Sequence, residues 1–144
     1  VYLAAILDVF NRKIIGWSMD DKLSHEVIAV ALRKAIMQRK PKAGVLFHSD
    51  RGTQYTSYAF RDLMEQYGFV QSMNSAGNCY DNALMESFFH TLKTELVYFE
   101  KYRTRQEACG GIFEYIEVFY NCVRRHSALN YCSPAEFERR ACVT

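Results

Sequence analysis

The feature that most narrows the possible folds is a change of period along the chain. Short apolar runs rich in β-branched and aromatic residues alternate with stretches whose apolar residues recur at helical spacing. Residues 1–10 form an apolar run containing Tyr2, Ile6, Val9 and Phe10 and predict a buried strand. Asn11 and Arg12 predict a turn, and residues 13–19 a second strand, which makes a hairpin. Ser24 is placed to cap a helix whose apolar positions (Val27, Ile28, Ala31, Leu32, Ala35, Ile36) run to about Gln38, with Pro41 and Gly44 marking its exit. Residues 45–48 read as a strand and 49–55 as a polar turn. Thr56 or Ser57 caps a helix through Phe60, Leu63, Met64 and Tyr67 that Gly68 ends. Residues 69–73 form another strand and 74–78 a loop. Asp81 caps a long helix over about 82–97, and a last helix spans about 105–125 despite Gly110 and Gly111. Ser133 and Pro134 open a short capped helix. Strands alternating with helices after an initial hairpin predict an α/β fold with a mixed β-sheet flanked by helices.

At 144 residues one domain is the natural count. Apolar residues at 49% and charged residues at 24% suit a soluble globular domain, and no run is long enough to span a membrane. No secretory signal is visible. The five cysteines include no closely spaced pair, so neither a disulfide framework nor a thiolate zinc site is expected; reduced thiols in a cytoplasmic protein are. Net charge is only +2, but its distribution is uneven. Arg33, Lys34, Arg39, Lys40 and Lys42 gather near one helix end, and Arg124, Arg125, Arg139 and Arg140 near the C-terminus. Such clusters read either as solvated helix faces or as phosphate contacts.

Two carboxylates stand out by position. Asp50 directly follows a short strand, where side chains of open α/β sheets meet ligands, although an Asp before Arg-Gly also reads as a turn residue. Glu86 lies early in the long helix, and His90 and Lys93 follow at i+4 and i+7 on the same face. Such a stripe taken alone is usually a solvated face. Between Asp50 and Glu86 lie 35 residues holding a helix, a strand and a loop, enough to bring the chain back to the same sheet end. Two carboxylates brought together repel unless a cation lies between them, and hard oxygen ligands select Mg2+ or Mn2+. Such ions could activate a water or a DNA 3′-hydroxyl against a phosphodiester.

The stretch from His48 through Asp50, Arg51, Gly52, Thr53 and Gln54 to Ser57 resembles the second-aspartate motif of insertion-sequence transposases related to retroviral integrases. Asn78 through Asp81, Asn82 and Glu86 to Phe89, followed by Leu92, Lys93, Thr94 and Glu95, resembles their glutamate motif. Tyr120, Asn121, Arg124, Arg125 and His126, then Ser133 and Pro134, resemble their C-terminal signature; Asp8, Asn11, Arg12, Gly16 and Trp17 resemble their early hairpin. The resemblance covers essentially the whole chain. It implies an RNase H-like fold and a DDE triad binding Mg2+ or Mn2+, with Asp50 as the second carboxylate and Glu86 the third. It also implies cleavage at element ends followed by strand transfer to target DNA. Lys93, His90, Arg51, Thr53, Arg124 and Arg125 are the expected DNA contacts. A homo-oligomer holding two DNA ends is expected, in the cytoplasm at the nucleoid.

The family's first aspartate lies on a strand before residue 1. Asp8 sits instead at the hairpin position and reads as a turn-organising residue. The chain is therefore expected to be an N-terminally truncated catalytic core, inactive by itself and marginally folded. About 1–100 would carry the sheet and active-site helix, and about 101–144 a helical extension. Cys109 and Cys122 read as small buried hydrophobes. The alternative is a non-catalytic DNA-binding or multimerisation remnant of a disrupted transposase; a nuclease that only hydrolyses is a third reading, less consistent with the signature from Arg124 to Leu129.

Overall fold

The computed structural model describes residues 2–22, 24–49, 58–73, 83–97 and 100–143. These residues form two compact units. The first comprises Val1–Ile6 and Ile15–Glu86, the second Leu7–Ile14 and Ser87–Thr144. The boundary between them crosses one helix, between Glu86 and Ser87, and the hairpin tip belongs to the second unit.

In the first unit, β1 (Tyr2–Leu7) and β2 (Ile14–Asp20) pair as a two-stranded sheet. Their short connection permits only a hairpin. Helix α1 (His25–Arg39) buries Val27, Ile28, Ala31, Leu32, Ala35 and Ile36, the positions that share one face at 3.6 residues per turn. Ser24 occupies its N-cap position, but its side chain makes no capping hydrogen bond, contrary to expectation. Helix α2 (Tyr58–Gln66) faces α1 with Phe60, Leu63 and Met64; Ala4, Ile6, Phe47 and Phe69 complete this core. Full burial of a ring such as Phe60 contributes about 1.5–3 kcal/mol. Gly68 adopts φ +69° and closes α2: its N–H donates to the Glu65 carbonyl, and the next N–H, from Phe69, donates to Met64. That bond pair is a Schellman C-cap, whose left-handed position favours glycine. It delivers the chain into β4 (Val70–Met73), which pairs in parallel with β3 (Leu46–Ser49), Leu46 opposite Val70 and Ser49 opposite Met73.

β2 lies so close to α1 that a Cβ on Gly16 would collide with the Ala31 carbonyl and come within 2.7 Å of the Ala35 nitrogen. Alanine on the helix side and glycine on the strand side together permit this approach.

In the second unit the hairpin tip is held by polar groups. The Asp8 carboxylate accepts from the Phe10 N–H at 2.9 Å and the Asn11 side chain accepts from Lys13 N–H at 3.0 Å, while Arg12 takes φ 64°. This local bonding ends the strand at Leu7, so Val9 and Phe10 stand exposed in the turn rather than continuing a strand to residue 10. Asn121, 1% exposed, bridges the backbone of Ile14 in both directions, accepting from its N–H and donating to its carbonyl, each at 2.9 Å. One amide thereby satisfies a donor and an acceptor that would otherwise be buried unpaired, at about 1–3 kcal/mol each.

Helix α3 (Ala83–Leu92) passes into a π-helical segment (Lys93–Val97). Helix α4 (Arg105–Phe113) starts at Thr104, whose hydroxyl accepts from the Glu107 N–H, and likewise widens into a π segment (Glu114–Tyr120). The helical stretch stops at Cys122, short of the expected residue 125, where the Val123 and Arg124 N–H groups share the Phe119 carbonyl. Tyr120 and Asn121 occupy the buried edge there, so Cys122 is exposed rather than a core residue; Cys109 is half-buried. After a 3-10 turn (Ser127–Leu129), helix α5 (Pro134–Val143) is capped by the Ser133 hydroxyl, which accepts from Glu136 N–H.

His126 closes the loop before α5. Its N–H donates to the Cys132 carbonyl, and its ring meets Tyr120 edge-on with centroids 5.0 Å apart. Burial, with the nearby Arg124 guanidinium, depresses its pKa to about 4.

Two outcomes are expected. Gly16→Ala should destabilise the protein by about 1–3 kcal/mol in denaturant titration, because the added methyl meets backbone that cannot turn aside. Because His126 is harder to protonate folded than unfolded, stability should fall as pH drops from about 6.5 to about 4. Melting temperatures across that window should fall more steeply for the wild type than for His126→Phe.

Candidate active site

The parallel pairing of β3 and β4 sets the layout of the first unit. With Ser49 opposite Met73, both strands end at the same edge of their sheet. Asp50 follows the first strand directly. The chain beyond the second leads to α3, whose first turn carries Glu86. Carboxyl ends of parallel strands are where open α/β sheets gather ligand-binding groups.

Helix α3 presents two unlike faces. Phe88 and Leu92 are buried, and the Phe88 ring lies edge-on to Tyr120 with centroids 5.0 Å apart. Glu86, His90 and Lys93 lie within about 60° of one another on the helical wheel and are all exposed. Lys93 is the first residue of the π segment. The Thr94 hydroxyl donates to the carbonyls of His90 (3.0 Å) and Thr91 (3.3 Å), covering acceptors at the α-to-π transition.

On the far side of this helix a second polar group is built. The Glu95 carboxylate receives Arg124 Nε at 3.0 Å on both oxygens, Arg124 Nη2 at 2.8 Å, and the Tyr115 hydroxyl at 2.9 Å. Burial alone would raise the Glu95 pKa; the hydrogen bonds from Arg124 and Tyr115 outweigh it and hold the carboxyl below its usual value. Tyr115 is pushed up by burial and by donating to Glu95, and Arg124 is raised by the same carboxylate. Thr94, Phe119 and Arg125 join these three around an open cleft of about 590 Å³.

The residues expected from sequence are distributed unevenly. Asp50, Arg51 and Thr53 lie outside the described residues. Glu86, His90 and Lys93 share one exposed face as their spacing requires. Arg125 is exposed beside the cleft, whereas Arg124 is turned into an ion pair. Among the described residues no three His, Cys, Asp or Glu side chains are gathered as a metal-binding group. Sequence reasoning assigned Glu95 and Tyr115 no role. The signal was weak: at α-helical spacing Glu95 follows Phe88 and Leu92, but its side chain is 33% exposed and in the π segment.

Two family models, each described as integrase core domain, match residues 1–79 and 86–141. The chain is 45% identical over 139 residues to the transposase for insertion sequence element IS904 of Lactococcus lactis, covering 96% of this chain and 55% of that protein. It is 46% identical over 140 residues to the uncharacterized 31 kDa protein of insertion element IS600 from Shigella sonnei, covering 97% and 52%. To the transposase InsF of insertion sequence IS3A from Escherichia coli it is 39% identical over 140 residues, covering 97% and 49%. The chain thus spans about half the length of the curated relatives it matches. Its fold is similar to the catalytic core domain of BIV integrase (TM-score 0.67, 16% identity, 96% of this chain and 86% of that one). It is also similar to a chain of the simian T-cell lymphotropic virus intasome (TM-score 0.74, 14% identity, 94% and 47%). At those identities the likeness is one of fold: the α/β class expected from the alternation of strands and helices, in the RNase H-like form that the family resemblance implies. On the matching family models, this chain belongs to the integrase core domain family.

Proposed function

We propose that this chain carries the catalytic chemistry of DNA transposition: polynucleotidyl transfer that cleaves at element ends and joins a DNA 3′-hydroxyl to target DNA. The observation that most supports it is the exposed Glu86, His90 and Lys93 face of a helix whose back is buried. The in-register ends of β3 and β4, from which the chain runs to Asp50 and toward Glu86, favour the same reading.

Asp50 and Glu86 are the proposed ligands of Mg2+ or Mn2+. The exposed Glu86 carboxylate is a hard oxygen donor, and it makes no ion pair among the described residues, so it fits such an ion. When bound, the ion supplies Lewis-acid stabilisation of charge on the phosphoryl oxygens and a more acidic attacking hydroxyl. The chain's own residues do the positioning. Lys93, two turns beyond Glu86, is suited to hold a phosphate next to the scissile one, with His90 between them. Arg51 and Thr53, beside Asp50, and the exposed Arg125 are further phosphate contacts. Arg124 is engaged by Glu95, so Arg125 is the better candidate of that pair. The partners would be element ends and target DNA, in a homo-oligomer that holds two ends at once. A DNA substrate would put the protein in the cytoplasm at the nucleoid. No helix among the described residues is long and apolar enough to cross a membrane.

In the full-length protein with Mg2+ and an element-end duplex, Glu86→Gln should reduce strand transfer at least about 100-fold while leaving DNA binding near wild type. Undiminished transfer would remove Glu86 from the metal site; DNA binding with no transfer by the wild type would leave a non-catalytic DNA-binding module. Lys93→Ala should weaken DNA binding across all sequences and lower the slope of log K against log salt by about 1. An unchanged slope in titrations across a salt series would show that Lys93 contacts no phosphate.

A further inference from the structure

We propose that Glu95 is a positioning residue for strand transfer: by pairing with Arg124 and Tyr115 it fixes the rotation of helix α3 about its axis, and with it the direction of the Glu86, His90 and Lys93 face. The inference rests on the reading of that face as the catalytic one.

Glu95 follows Glu86 by nine positions, which at α-helical spacing is about half a turn; the wider π turn from Lys93 lessens that angle but leaves Glu95 off the stripe of Glu86, His90 and Lys93. Glu95 therefore points away from the proposed chemistry, toward Tyr115 and Arg124. It is not a candidate metal ligand, because both oxygens already accept hydrogen bonds. What it does is tie the helix at a defined angle. Arg124 presents a planar fork, with Nε and Nη2 directed at the carboxylate, a geometry that tolerates little rotation. Tyr115 adds a third donor from a different element, the π segment of α4. Apolar contacts such as Phe88 on Tyr120 hold the helix down but resist turning only weakly, since they are not directional.

The clamp also sits where the helix most needs holding. Lys93 begins a π turn, a conformation that is rare and concentrated at functional sites. Glu95 lies inside that turn, two residues on. Releasing it frees the turn to relax and swing Lys93. The side chains of Arg124 and Glu95 are 27% and 33% exposed, so solvent screening keeps the pair's contribution to global stability modest. Its loss should register in geometry first, and misplacement of reacting groups by about 1 Å can cost about 100-fold in rate.

The test uses the full-length protein, Mg2+ and an element-end duplex, and measures strand-transfer kcat, the KM for DNA and the melting temperature. Glu95→Gln should lower kcat about tenfold with KM for DNA within about twofold of wild type. Arg124→Lys, which keeps the charge and loses the fork, should fall in the same way. The exchange Glu95→Arg with Arg124→Glu should restore kcat above either single substitution, which a merely destabilising change would not do. Should Glu95→Gln fail to fold, Tyr115→Phe removes one hydrogen bond only and is expected to lower kcat about threefold. A Glu95→Gln enzyme within about twofold of wild-type kcat overturns the proposal; so does no recovery in the exchanged pair, or, in the unfolded case, an unchanged Tyr115→Phe enzyme. Inactive Glu86→Gln beside fully active Glu95→Gln removes the positioning role alone. Fully active Glu86→Gln removes the reading of the face on which it rests.

Discussion

Phe88 packs edge-on against Tyr120 with ring centroids 5.0 Å apart, and Leu92 is buried one turn further along the same side of α3. This apolar seam decides which side of the helix is buried. A helix with one apolar stripe buries that stripe and turns its polar face outward, so Phe88 and Leu92 are sealed while Glu86, His90 and Lys93 lie in solvent. The position of the exposed stripe thus depends on residues packed on the other side of the helix.

Polar contacts add direction to that seam. The Asn121 amide binds the backbone of Ile14 as a neighbouring strand would, fixing the hairpin tip in the second unit by a donor and an acceptor at once. Asp8 and Asn11 shape the tip itself. Glu95 gathers Arg124 and Tyr115. In each case a short-range directional bond is laid over burial that is not directional, which is how a core of ordinary Phe, Leu and Tyr specifies one arrangement. In the first unit the comparable constraint is steric: Gly16, Ala31 and Ala35 set the spacing between β2 and α1.

Local patterns were legible where a single residue type answers a single local demand. The buried stripe of α1, the stop at Gly68, the Ser133 cap with Pro134 and the turn-organising role of Asp8 all follow from spacing and side-chain chemistry. Reading failed where a competing contact, local or tertiary, overrode the propensity of the segment. Val9 and Phe10 have high strand propensity, yet the Asp8 turn takes them out of the strand and leaves them exposed. Cys122 was expected to be buried, but Tyr120 and Asn121 hold the inner edge at that point. The two π segments carry no sequence signature that helical periodicity could register.

By itself the sequence determined the order of elements, the α/β class and the single-face grouping of Glu86, His90 and Lys93. These depend on periods of two and 3.6 residues, which are properties of neighbours along the chain. Only the tertiary structure decided that Arg124 is spent on Glu95 while Arg125 stays exposed, and that Asn121 serves the Ile14 backbone. Adjacent arginines are chemically the same, and spacing cannot distinguish them. What separates them is a carboxylate 29 positions away in sequence, brought within 2.8 Å by folding.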